Sequence, residues 1–156
     1  MLYSKGTEYA IRSLAWMAKD NGHQARRVED IARLSKVPAP FLAKTFQKLA
    51  KDGILSSVKG PAGGYRLAKL PSRLSLLDIV ASVDGLYSMQ GCLMGQGKCS
   101  DSNSCPIHNK WKGVKKNILD FLKTATIADL ALSLKKSGQV WQESSRYARH
   151  TRIVRH

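Results

Sequence analysis

Ser57-Val58-Lys59-Gly60-Pro61-Ala62-Gly63-Gly64-Tyr65 is the stretch whose reading decides the fold. Residues 54–59 form a β-prone run, residues 60–64 supply turn chemistry, and Tyr65-Arg66-Leu67 reads as a returning strand. The glycines do not make a P-loop, because the Gly-Lys-Ser/Thr ending that would cradle phosphates is missing. What remains is a two-stranded hairpin. Lys59 and Arg66 flank its tip, as cations placed to reach phosphates or enter a minor groove.

Immediately upstream, residues 39–52 predict a helix. Its apolar set is Phe41, Leu42, Thr45, Phe46 and Leu49, and Lys44, Lys48 and Lys51 recur on another face. Pro38-Ala39-Pro40 suits a first turn, whose N–H groups lack partners anyway, and Gly53 suits the stop. Ser35-Lys36-Val37 reads as a tight turn after a short helix over residues 28–35, with Val28, Ile31 and Ala32 on one side. Residues 4–20 predict an earlier helix, with Ser4 as N-cap and Ile11, Leu14, Ala15 and Ala18 at one-face spacing; Asp20-Asn21-Gly22-His23 ends it. Two short helices joined by a tight turn make a helix-turn-helix, and a hairpin directly after the basic helix is a wing. The expectation is a mainly α fold with a small β-hairpin wing, its winged helix-turn-helix domain covering residues 1–70.

Charge points the same way. The 156 residues carry 26 Lys and Arg against 11 Asp and Glu, a net of +15, and 13 of the basic residues lie within positions 1–70. Such an excess calls for a polyanionic partner, nucleic acid or an anionic membrane face; the wing favours double-stranded DNA. No segment approaches the roughly 20 apolar residues of a membrane span. Lys5, Glu8 and Arg12 occupy the place of a secretory apolar region. A cytoplasmic protein is expected.

Beyond residue 70 the pattern changes. Residues 71–85 form a connecting segment whose helix, over 74–83, reads as buried and ends at Asp84-Gly85. A loop over residues 86–105 follows. From Pro106 a long helix is expected, with Trp111, Val114, Ile118, Leu119, Phe121 and Leu122 as apolar positions, then a shorter helix near 126–135. So apolar a helix on so small a domain needs a partner surface, and residues 106–136 are assigned to homodimerisation. Residues 137–156 form a basic tail in which Arg146, Arg149, Arg152 and Arg155 recur every third position, as a helical stripe or a solvated tail.

All three cysteines, Cys92, Cys99 and Cys105, lie in or at the end of that loop, and His108 follows Cys105 by three residues. An odd number of cysteines argues against a disulfide framework. Zinc sites usually pair cysteines two to four residues apart, and the bacterial ferredoxin run is absent. Wide spacing through glycines suits a larger inorganic core, with a zinc site or a thiol redox switch as the alternative. Cys105, at a helix start, gains thiolate character from the dipole. An enzyme with a cysteine nucleophile is not expected, because no base and oxyanion set accompanies the thiols.

The 57–65 stretch and the Cys92, Cys99, Cys105, His108 set together resemble the Rrf-type winged-helix transcription regulators, specifically their IscR- and NsrR-like cluster-binding branch, over about residues 1–135. That resemblance implies a transcription regulator, a repressor by this reading, with an iron–sulfur cluster in each subunit; 2Fe–2S is the favoured type and 4Fe–4S the other. It places the base-reading segment on Pro40, Phe41, Ala43 and Lys44 and the minor-groove residue on Lys59, with Lys48 and Arg66 assigned to phosphates. The operator would be a pseudo-palindrome. His108 matches the histidine ligand of the IscR-like branch, and Glu8 matches the position where NsrR-like relatives offer a carboxylate across the dimer. Two departures stand out. Pro40 and Ala43 cannot make bidentate hydrogen bonds to a base, and the first cysteine gap holds six residues where the IscR-like pattern has five.

Overall fold

In the computed structural model the described residues are 3–86, 90–95, 97–102 and 104–137. The basic tail beyond 137 lies outside them. The first helix, α1 (Lys5–Met17), is capped by Ser4, whose hydroxyl accepts from the Thr7 N–H at 3.3 Å. It ends earlier than the sequence pattern suggests: Ala18–Asp20 tighten into a 3-10 turn, and Asn21 adopts a left-handed conformation (φ 61°). Ala10, Ile11, Leu14, Ala15 and Met17 are buried, so α1 runs through the middle of the core.

Helices α2 (Val28–Ser35) and α3 (Ala39–Lys51) form the helix-turn-helix, with Lys36 in the left-handed region at the turn and Pro38 as the α3 N-cap. Strands β1 (Leu55–Val58) and β2 (Gly64–Leu67) pair antiparallel with Leu55 opposite Leu67 and Val58 opposite Gly64. The hairpin is extended by a third segment that the sequence did not announce. Arg26 and Tyr65 exchange both backbone hydrogen bonds, at 3.0 and 2.8 Å.

After a 3-10 turn over Pro71–Arg73, α4 (Leu76–Val83) opens with a reciprocal cap between Ser75 and Asp78. The long helix α5 (His108–Thr124) starts at His108 rather than at Pro106, and α6 (Ile127–Ser137) follows it. The link between them pairs with the start of α4, since Leu76 N–H donates to Ala125 and Ile127 N–H to Leu74, each at 2.9 Å. α6 returns to pack on α1.

One apolar core therefore joins both halves of the chain: Leu14, Ile31, Leu42, Phe46, Leu49, Leu74, Ile79, Leu122 and Ile127 all belong to it. Each such side chain contributes roughly 1.5–3 kcal/mol by leaving water. Several apolar positions read from the sequence are not buried. Phe41, read as part of the α3 apolar set, is 58% exposed, because it lies at the edge of the helix face on which Leu42, in the same turn, is fully buried. On α5 only Leu122, among the apolar positions named above, is buried. Among the described residues no helix is long and apolar enough to cross a membrane.

Candidate functional site

Two faces carry the chemistry. The first is the outer surface of α3 and the hairpin. Pro40, Phe41 and Lys44 are exposed at the start of α3, and Ala43 is half-buried beneath them. Phe41 meets Tyr9 edge-on, with centroids 6.1 Å apart. Lys59 is exposed just past β1, and Arg66 is exposed on β2 opposite Ser56. Lys48 is also exposed, but its amine donates to the Val83 carbonyl at 2.8 Å, so it closes the last turn of α4 and would have to release it to meet a phosphate. Beside it, Ser82 donates to Asp52 at 2.6 Å, a second tie between α3 and α4.

The hairpin is held at the start of α2 by contacts between the 57–65 stretch and two residues outside it, Arg26 and Arg27. Gly64 sits at φ 143°, and a Cβ there would lie 2.1 Å from the Arg26 carbonyl oxygen, so only glycine permits the Arg26–Tyr65 pairing. The Arg27 guanidinium donates to the Pro61 carbonyl at 3.0 Å, tying down the hairpin tip. Tyr65 packs edge-on against Phe46 of α3 at 5.3 Å, which couples the wing to α3.

The second face is the thiol loop. None of the three cysteines is in a disulfide; Cys105 is buried, and Cys92 and Cys99 are half-buried. Backbone bonds shape the loop: Cys92 N–H donates to Gly97, Gly95 N–H to Cys92 and Cys99 N–H to Gln90, at 2.8, 3.1 and 3.0 Å. The Trp111 indole N–H donates to the Gly91 carbonyl at 3.2 Å and fastens the loop to α5. Cys105 lies in the turn before α5, and the His108 N–H donates to its carbonyl at 2.9 Å.

His108 is only 5% exposed, so it is not a solvated first-turn residue. Its Nδ1 lies 3.2 Å from Cys99 Sγ, and its Nε2 lies 2.8 Å from Asp101 Oδ1. Lys112, four residues on along α5, donates to both oxygens of Asp101 at 2.9 and 2.8 Å. The hydrogen bond from Lys112, then that from His108, hold the Asp101 carboxyl below its usual pKa. Asp101 and Lys112 were not among the residues singled out from sequence. The spacing from His108 to Lys112 was a legible signal, one helical turn on the same face, but nothing local marks Asp101.

An iron–sulfur cluster can be tested against these donors. Their chemistry suits it, as three thiols and one imidazole in a single loop and the turn after it. Cys99 and His108 already face each other near the roughly 3.5 Å that two ligands of one tetrahedral metal ion span. Among the described residues no three His, Cys, Asp or Glu side chains are gathered closely enough to hold a metal ion. One donor pair, Cys99 and His108, is preformed. Glu8 is engaged elsewhere: its carboxylate accepts from Lys5 at 2.7 Å and from Arg12 at 2.9 Å within α1.

Residues 3–133 match the Rrf2 family model, described as an iron-dependent transcriptional regulator. A protein of Aquifex aeolicus (strain VF5) assigned as an HTH-type transcriptional regulator is 42% identical over 132 residues, covering 83% of this chain and 91% of its own. The HTH-type transcriptional regulator IscR of Vibrio cholerae is 30% identical over 152 residues, covering 97% and 84%. Among solved structures, the global cysteine regulator CymR of B. subtilis superposes with a TM-score of 0.72 at 20% identity, over 85% of this chain and 98% of its own. IscR of T. potens superposes with a TM-score of 0.70 at 24% identity, over 94% and 97%.

Proposed function

Because this chain belongs to the Rrf2 family of transcription regulators, we propose that it is a homodimeric repressor whose DNA binding is set by an iron–sulfur cluster. Cys92, Cys99, Cys105 and His108 would hold that cluster, with 2Fe–2S favoured. The observation that carries the reading is the pairing of Cys99 with the buried His108. A buried imidazole facing a thiol is a poor use of core space but a natural start for a mixed Cys/His site. Bound there, the cluster would supply redox, nitric-oxide or iron-dependent chemistry.

On the DNA side, Phe41 and Lys44 present an apolar and a cationic group to the major groove, with Pro40 and Ala43 shaping the backbone approach. Lys59 reaches the minor groove, and Arg66 meets phosphate; Lys48 joins it when freed from Val83. A two-fold dimer places two such units on a pseudo-palindrome with half-sites about one helical turn apart. Lys59→Ala should lower operator affinity and reduce the salt slope by about one.

Anaerobic purification with an absorption spectrum and iron and sulfide counts tests the cluster. Expected are stoichiometric iron and sulfide and an operator affinity that differs about 5–150-fold between cluster-bound and cluster-free protein. Protein without iron and sulfide, whose DNA affinity instead follows thiol oxidation, would support a second reading. In it the same fold uses the Cys99–His108 hydrogen bond as a thiol switch.

A further inference from the structure

His108 makes two polar contacts from one ring, and their order determines which nitrogen is available. Asp101 Oδ1, 2.8 Å from Nε2, belongs to a carboxylate that offers only acceptors when ionised, so the proton of the pair sits on Nε2. In the neutral ring Nδ1 then carries the lone pair, and Nδ1 is the atom 3.2 Å from Cys99 Sγ. Asp101 is itself steadied: Lys112 bridges both its oxygens from the next turn of α5. The ring is shut away from water, whereas Asp101 stands at the surface. A chain of Lys112, Asp101, His108 and Cys99 therefore runs from the face of α5 into the loop.

We propose that Asp101 is the positioning residue of this centre: by accepting the Nε2 proton it fixes His108 as an Nδ1 ligand facing Cys99. The inference rests on the reading of His108 as a ligand and adds a residue to it. Metal-bound histidines generally donate their other ring N–H to such a partner, and removing the partner weakens metal binding about 10–100-fold. Lys112 acts one step further out, by holding Asp101 in place.

Two measurements on the full chain test this. In cluster-free protein, long-range proton–nitrogen NMR of His108 should show the proton on Nε2 and a bare Nδ1. Asp101→Ala should mix the two ring forms, and Asp101→Asn, which keeps an acceptor oxygen, should restore the parent form. In protein reconstituted anaerobically with iron and sulfide, Asp101→Ala should release iron to a chelator about 10–100-fold faster. Lys112→Met should give a smaller change in the same direction. The Asp101 side chain is exposed, so the variants keep the fold, and circular dichroism checks it. If Asp101→Ala leaves the ring form unchanged, or alters it without changing iron release, the proposal is overturned. His108→Ala separates the two levels. If it keeps the parent spectrum and release rate, the ligand reading fails, while the ring form in cluster-free protein still judges the Asp101–His108 contact.

Discussion

Two phenylalanines five residues apart on α3 have opposite fates. Phe46 is fully buried against Tyr65, and Phe41 is 58% exposed in the first turn. Their side chains are chemically identical, so the difference in response isolates position. Phe46→Ala should cost about 3–5 kcal/mol, from lost burial and the cavity left behind. Phe41→Ala should leave the urea midpoint nearly unchanged, within about 0.5 kcal/mol, and yet weaken operator binding. Equilibrium unfolding and binding isotherms on the two variants check both halves. Helical spacing alone had put both rings in one apolar set. It could not tell them apart, because Phe41 lies at the edge of the face that Leu42, Thr45 and Leu49 bury, and the width of face that is covered depends on the helices packed against it.

At the scale of elements, the wing depends on one glycine. Gly64→Ala places a methyl group against the Arg26 carbonyl in a backbone region that L side chains rarely adopt. The expected result is a destabilisation of about 1–3 kcal/mol and a loss of DNA affinity larger than that of Lys59→Ala, since the whole hairpin shifts. A second joint links the start of α1 to the end of α4. The Asp84 carboxylate accepts from the Ser4 N–H at 2.7 Å and from the Ser4 hydroxyl at 2.5 Å. Burial works to raise its pKa, but the two hydrogen bonds from Ser4, with the Lys48 charge, prevail and hold it below the usual value. A carboxyl lowered in the folded state contributes its stability in full above the unfolded value of about 3.9 and loses it as pH falls through the lower folded value. Urea midpoints measured from about pH 6 to about pH 3 should show a fall on the acid side, part of which disappears in Asp84→Asn.

For the whole molecule, α5 presents Val114 and Phe121, 46% and 61% exposed, on one stripe with the half-buried Ile118 between them. Among the described residues nothing covers Val114 and Phe121, and a second copy would offer the same stripe in return. If this stripe is the interface of the proposed homodimer, Phe121→Glu should give monomers in sedimentation velocity where the parent gives dimers, with helical circular dichroism retained. Operator affinity should then fall about 100-fold or more, because two half-sites no longer bind as a unit. A variant that stays dimeric would place the interface elsewhere.

The sequence by itself determined what rests on local chemistry. The turn residues at 60–64, the α3 start at Pro38-Ala39-Pro40 and the apolar spacing of α1 and α4 announce a winged helix-turn-helix, and its shape is as read. The cysteine positions and His108 were likewise visible as a donor set. Only the tertiary structure decided what depends on distant segments meeting. The Arg26–Tyr65 bridge joins residues far apart in sequence, and α6 packs on α1 from the other end of the described chain. Lys48, a cation in any local reading, is drawn to the Val83 carbonyl, whereas the pairing of Glu8 with Lys5 and Arg12 follows from spacing within α1. His108 is buried, with Asp101 on one nitrogen and Cys99 on the other, because the loop folds back on the first turn of α5. Spacing along a chain specifies which face a residue occupies; what that face meets is settled only when the core closes.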